Sequence, residues 1–175
     1  MTERPGPSPH RVPSQITADY WVYADAPGLE LDDDGRSGKW LVFVPRERID
    51  TWWDKIKDAT ERGHLGICAK AATARANPLA TSPKTKLICV YTRDWRDQDD
   101  VRRVLQHLRG LGVTWRLSYK IDDATISGIY GAGSATYVSQ PASLTFEDRS
   151  GAAPALSPAA HTPDAETNRR SQQKK

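Results

Sequence analysis

Six cationic side chains, Lys70, Lys84, Lys86, Arg93, Arg116 and Lys120, lie in or beside three apolar runs: Gly66 to Thr73, Lys86 to Thr92 and Trp115 to Lys120. Side chains alternate faces along a strand. In the third run Trp115, Leu117 and Tyr119 therefore share one face, and Arg116, Ser118 and Lys120 share the other. A sheet with one apolar face and one face bearing Lys and Arg can bury a core on one side and hold an anion on the other, which points to a phosphate-bearing ligand. Lys70 is flanked by Ala69 and Ala71 inside its run. Desolvation and like-charge neighbours both lower a lysine pKa, and a neutral lysine can act as general base or nucleophile. Lys70 and Lys120 are thus the candidate bases. The plainer reading of both is a lysine whose stem covers apolar surface while its ammonium reaches water.

Of the four histidines, only His64 stands at an element end beside this set, just ahead of the Lys70 run. His10 and His161 lie near the chain ends, and His107 is on the flank of an expected helix. At that place an imidazole could donate a proton near neutral pH; the plainer reading is a loop histidine. Among the six tryptophans, Trp40 and Trp52 read as core, while Trp21, Trp53, Trp95 and Trp115 are less determined. A ring beside cations can stack a base, which makes Trp53, Trp95 and Trp115 candidates for an aromatic platform, with core packing as the alternative. The sequence has no P-loop, no Gly-x-Ser-x-Gly elbow and no His-Glu-x-x-His, and Gly131-Ala-Gly133 is too weak and too late to be a dinucleotide fingerprint. Neither a cofactor nor a metal is expected. Asp32 to Asp34 lacks the alternating ligands of a calcium loop, and Cys68 and Cys89, both inside apolar runs, read as buried thiols.

The elements that must position these residues follow from periodicity. Asp19 to Ala24 and Lys39 to Val44 read as strands, and Ala26 to Gly38 as an acidic, turn-rich loop. Pro45 is expected to open a helix running to about Arg62, because Ile49, Trp52, Trp53 and Ile56 fall on one helical face and Gly63 offers a stop. Residues 74–85 are a loop of a length that is often functional. After the Lys86 strand, Asp97 caps a second helix whose buried stripe is Val101, Val104, Leu105 and Leu108 and which ends at Gly110 and Gly112. Strands at Trp115 to Lys120, Thr125 to Tyr130 and from Tyr137 complete the order. The class is α+β: a mostly antiparallel or mixed sheet with two main helices packed on one face and the other face open.

Of the 175 residues, the first 15 are rich in Pro, and residues 147–175 are Ala, Pro, Ser, Gln and charge. Both ends are expected to be disordered, which leaves one domain over residues 16–146. The net charge is +3, with each tail net positive, so the domain is near neutral. Non-specific polyanion binding rests on many phosphate contacts, so an anion site here must be a local cluster. No apolar run reaches membrane-spanning length and no signal-like apolar region opens the chain. A cytoplasmic monomer with no membrane partner is the expectation.

The ordered runs Gly38-KWLVFV, Ala69-KAAT, Leu87-ICVYTRDW, Val101-RRVLQHLRGLG and Leu117-SYKIDDATISGIYG together resemble the basophilic-leukaemia-expressed protein family. Its bacterial members carry a phosphothreonine-lyase-domain label, and its fold is similar to that of the messenger-RNA cap-binding initiation factor: a curved, mostly antiparallel sheet backed by helices. The resemblance implies two functions. As a phosphothreonine or phosphoserine lyase, the protein would use Lys70 or Lys120 to remove the α-proton and His64 to protonate the departing phosphate. Arg116, Lys86, Arg93 and Lys84 would hold that phosphate. The effector-type lyases place a Lys and a His two apart on one strand, and this chain has no Lys-x-His. As a cap-like module, it would instead hold a nucleotide or RNA between aromatic rings, with Lys and Arg on the phosphates. A plain protein-interaction domain is a third reading.

Overall fold

The computed structural model describes residues 12–31, 34–80, 82–122 and 135–151. Seven strands form one sheet: β1 (Trp21–Asp25), β2 (Gly38–Pro45), β3 (Cys68–Ala72), β4 (Thr85–Thr92), β5 (Leu117–Ile121), β6 (Tyr137–Ser139) and β7 (Glu147–Asp148). Two helices, α1 (Ile49–Glu61) and α2 (Gln98–Gly110), connect β2 to β3 and β4 to β5. The strand order is β1-β3-β4-β2-β5-β6-β7, in a curved, open sheet. Every pairing among the described strands is antiparallel.

The strict antiparallel pairing has a topological cause. The strands joined by a helix run parallel, as a helical crossover requires, but each such pair is split by a third strand: β4 lies between β2 and β3, and β2 lies between β4 and β5. No parallel neighbours result. The first crossover moves one way along the sheet and the second moves the other way from a strand of opposite direction. With the same right-handed connection, both helices then fall on the same face.

That face holds the main core. Trp40, Val42 and Val44 of β2, Ile88 and Val90 of β4, Ala69 and Ala71 of β3, and Leu117 and Tyr119 of β5 meet Ile49, Trp53 and Ile56 of α1 and Val101, Val104, Leu105 and Leu108 of α2. Both helices show the expected apolar stripe, and the Asp97 carboxylate accepts from the Asp100 N–H at 3.1 Å as the N-cap of α2. The first turn after Pro45 is a 3-10 turn, Arg46–Arg48, ahead of α1. The expected strand over 125–130 lies outside the described residues.

Two segments expected as tails carry structure. The turn Pro13–Gln15 is pinned by the Ala74 N–H donating to the Pro13 carbonyl at 2.9 Å and by Ser14 bonding the Asp50 carboxylate. β7 pairs with β6 past Phe146. Neither segment brings a large apolar side chain; each is ordered by donors and acceptors that an existing edge offers, a source of order that composition does not reveal.

Candidate functional site

Strand register on the uncovered face arranges the side chains in three rows. The first row runs Trp21, Ala72, Leu87, Phe43, from the pairs Trp21–Ala72 and Phe43–Leu87. The second runs Tyr23, Lys70, Cys89, Leu41, Ser118, and the third Asp25, Cys68, Tyr91, Lys39, Lys120. Lys70 thus stands near the middle of the face, diagonal to Trp21 in one row and to Tyr91 in the other. Its ammonium lies 4.3 Å from the Trp21 ring centre and 5.7 Å from that of Tyr91. A cation over a ring face is attracted by the ring quadrupole, and the two rings hold this ammonium over the sheet.

Among the described residues, no carboxylate forms an ion pair with Lys70. Burial, and to a lesser degree the neighbouring Lys39, hold its pKa below the ordinary lysine value. Burial pushes the Cys89 thiol up to about 11 and raises the Tyr91 phenol as well, so both stay neutral beside it. The Asp122 carboxylate is engaged by Lys39, whose ammonium also sits 5.2 Å from the Tyr91 ring centre. Lys120 is the direct cross-strand partner of Lys39. Among the described residues, neither Lys70 nor Lys120 forms an ion pair with a carboxylate. An arrangement of half-buried cations among aromatic rings favours an incoming anion that also has a flat face.

The structure brings together only part of the expected set. Lys70 and Lys120 share the open face. His64 does not join them: it follows α1 on the helix side, its ring stacked on His107 of α2 with centres 6.5 Å apart and its carbonyl accepting from Arg103. The sheet stands between this histidine and both lysines, so no Lys–His acid–base pair is assembled. The four expected phosphate holders are dispersed. Lys84 is exposed just before β4, and Arg93 is exposed just after its far end. Lys86 falls on the helix-side parity and donates from Nζ to the Thr73 carbonyl at 2.6 Å. Arg116 is exposed immediately before β5.

The expected aromatic platform is corrected. Trp53 is 1% exposed in the core. Trp115 packs edge-on against Trp52, with ring centres 5.2 Å apart and planes at 86°. Trp95 packs against the same core, its carbonyl accepting from the Tyr137 hydroxyl at 2.7 Å. All three serve the covered face. The rings on the other face are Trp21, Tyr23 and Tyr91, of which Tyr91 is buried in a second small core with Ile67, Cys68 and Cys89; with Lys39 they are the residues that sequence reasoning missed. Alternation through the Trp21-Val-Tyr23 run was the available signal: it sets both rings opposite buried Ala24.

The fold and this face define an α+β domain with an open, cation-bearing sheet surface. The chain belongs to the family described as basophilic leukemia-expressed protein Bles03, whose pattern matches residues 32–125. Among solved structures it is similar to Ascaris suum eIF4E-3 in complex with the m2,2,7G cap, at 20% identity over 59% of this chain and 63% of that one, with a TM-score of 0.45. It is also similar to C. elegans eIF4E-3 in complex with the 4E-binding protein Mextli and a cap analog, at 22% identity over 58% of this chain and 61% of that one, with a TM-score of 0.44. The chain therefore spans somewhat under two thirds of the length of these structures. Among the described residues, no helix is long and apolar enough to cross a membrane.

Proposed function

We propose that this protein is a binding module that takes a nucleotide, free or exposed in single-stranded RNA, on the open face of its sheet. One observation carries the reading: Lys70 and Lys120, neither in an ion pair among the described residues, share that face with the rings of Trp21 and Tyr23. Rings that stack bases, next to cations that follow the phosphates, are the general means of single-strand binding. In this role Lys70 supplies charge in a desolvated setting, where attraction to phosphate is stronger than in water. Trp21 and Tyr23 supply the ring surface. The separation of His64 from both lysines favours binding over phosphate elimination, since elimination needs an acid and a base converging on one substrate.

Titration of intrinsic tryptophan fluorescence with each mononucleotide and with short single-stranded RNA tests the reading. Saturable quenching at low salt is expected. Trp21→Leu should weaken it about 5- to 100-fold, the range of one lost stacking contact; Lys70→Met should weaken it and flatten its salt dependence. Absence of saturation with every nucleotide and RNA overturns the proposal. So does a phosphothreonine peptide that binds in preference to all of them, and so does release of phosphate from such a peptide in a Lys70-dependent way.

A further inference from the structure

Beyond the stacked lysine, the first row of the open face ends in a cleft of about 520 Å³ beneath the 74–85 loop. Its floor is the short side chain of Ala72, with Trp21 on one side and Leu87 and Phe43 on the other. Trp21 and Phe43 stand on strands three places apart, roughly 14 Å at the usual strand spacing, so the small residue between them opens a trough between two rings. Leu79 of the loop lines its rim. Phe43 and Leu79 are 45% and 88% exposed, two of the few large apolar side chains left in water among the described residues. The cost of that exposure would be relieved by an apolar body lying in the trough.

The end of the trough is cationic. Arg46 and Lys86 line both this cleft and an adjoining one of about 290 Å³. Lys86 has one fixed acceptor, the Thr73 carbonyl, and its ammonium is disfavoured by burial and then by the Arg46 charge. Among the described residues neither cation is in an ion pair, and the one carboxylate lining the two clefts, that of Glu47, pairs with neither. Two like charges held together at the mouth of an apolar trough are complementary to a single negative head group on an apolar body.

We infer that this cleft binds a small amphipathic acid, its apolar body along Trp21, Ala72, Leu87 and Phe43 beside Leu79, and its carboxylate or comparable anionic head between Arg46 and Lys86. The size suits such a ligand. This site does not depend on the nucleotide reading: it uses the opposite end of the face from Lys39 and Lys120, and only Trp21 borders both.

The test is titration of the full chain with 8-anilinonaphthalene-1-sulfonate, a flat apolar body with one sulfonate, followed by displacement with decanoate or with decanol. One saturable site is expected, displaced by decanoate well before decanol. Leu79→Asp, at an exposed position that cannot disturb the core, and Arg46→Glu should each weaken it about ten-fold or more, the equivalent of one lost apolar contact or one reversed charge. Leu144→Asp, a change at another exposed leucine elsewhere, should leave it unaltered. Equal binding by Leu79→Asp and Arg46→Glu overturns the inference, as does equal displacement by the neutral alcohol. Loss of the site in Leu144→Asp would also overturn it, by placing the dye away from the cleft.

Discussion

On the covered face of the sheet, polar atoms are closed in by partners from the same chain. The Trp40 indole donates to the Val101 carbonyl at 3.1 Å, and the Tyr119 hydroxyl meets Thr92 Oγ1 at 2.6 Å. The buried guanidinium of Arg109 donates to the carbonyls of Val113, Trp115, Gln140 and Ser143 and to Ser139 Oγ. On the open face of the same strands, Lys70 is desolvated and faces rings, with no carboxylate paired to it among the described residues. Apart from the Trp53 and Trp115 indole N–H groups, the described polar atoms of the covered face are satisfied internally and serve stability; the other face keeps polar capacity unspent and is therefore available to a ligand. The contrast teaches that side-chain chemistry alone does not separate structural from functional polar groups. Arg109 is buried and Lys70 half-buried, and what most separates them is that the first is surrounded by acceptors from its own chain and the second by aromatic rings.

The largest expected effect comes from Arg109→Met. It leaves several neutral acceptors without their donor, two of them in buried bonds, and should cost about 3–5 kcal/mol at about 1–3 kcal/mol for each unsatisfied buried group, measured as a shift in the urea midpoint. A loss near zero would break the comparison at its strongest point. Next comes Gly66→Ala. An added Cβ at Gly66 would overlap the Tyr91 carbonyl oxygen, which accepts from the Ile67 N–H at the start of β3. Because β3 register decides which residues reach each face, this change should cost more than about 2 kcal/mol and weaken open-face binding together with stability.

A finer test lies within the covered face. The Trp53 and Trp115 indole N–H groups are buried without an acceptor, unlike that of Trp40. Trp40→Phe gives up a made hydrogen bond and Trp53→Phe removes an unmade one, so the first should cost about 1 kcal/mol more than the second in paired denaturation curves.

The smallest effect is on the open face. Lys70→Met should leave stability within about 1 kcal/mol of the parent at neutral pH, with a tilt toward gain. The sign follows from linkage: a lysine whose pKa is lowered on folding binds fewer protons folded than unfolded, so parent stability rises as pH climbs from the folded value toward the ordinary lysine range. Lys70→Met lacks that rise, so any advantage it has should shrink over the same window. Chemical denaturation at neutral and alkaline pH would show the two curves converging; parallel curves would mean that Lys70 is solvated like any surface lysine.

Local pattern was enough to reveal both helices, because their stripes repeat at the helical period and Asp97 is an N-cap by residue type. It also revealed that Lys120 faces away from the core, since alternation along a strand is strictly local. Family likeness likewise rests on the order of runs. What local pattern did not contain was which strand neighbours which. The split of each crossover by a third strand makes every pairing antiparallel and sends both helices to one face, and that same arrangement puts the sheet between His64 and Lys70 although only five residues separate them in sequence. Trp53, Trp95 and Trp115 were misplaced for a related reason: a ring's exposure depends on what packs over it, as Trp52 does over Trp115.

The chain's residues by themselves determined the periodic elements, the Asp97 cap of α2 and the side of β5 that carries charge, because those depend on neighbours within a few residues. Only the tertiary structure decided the rows Trp21–Ala72–Leu87–Phe43 and Tyr23–Lys70–Cys89–Leu41, the rings around Lys70 and the meeting of Arg46 with Lys86. Those contacts join segments far apart in sequence, and their existence is set by strand order and register, which are settled by the burial of the whole sheet rather than by any one stretch of it.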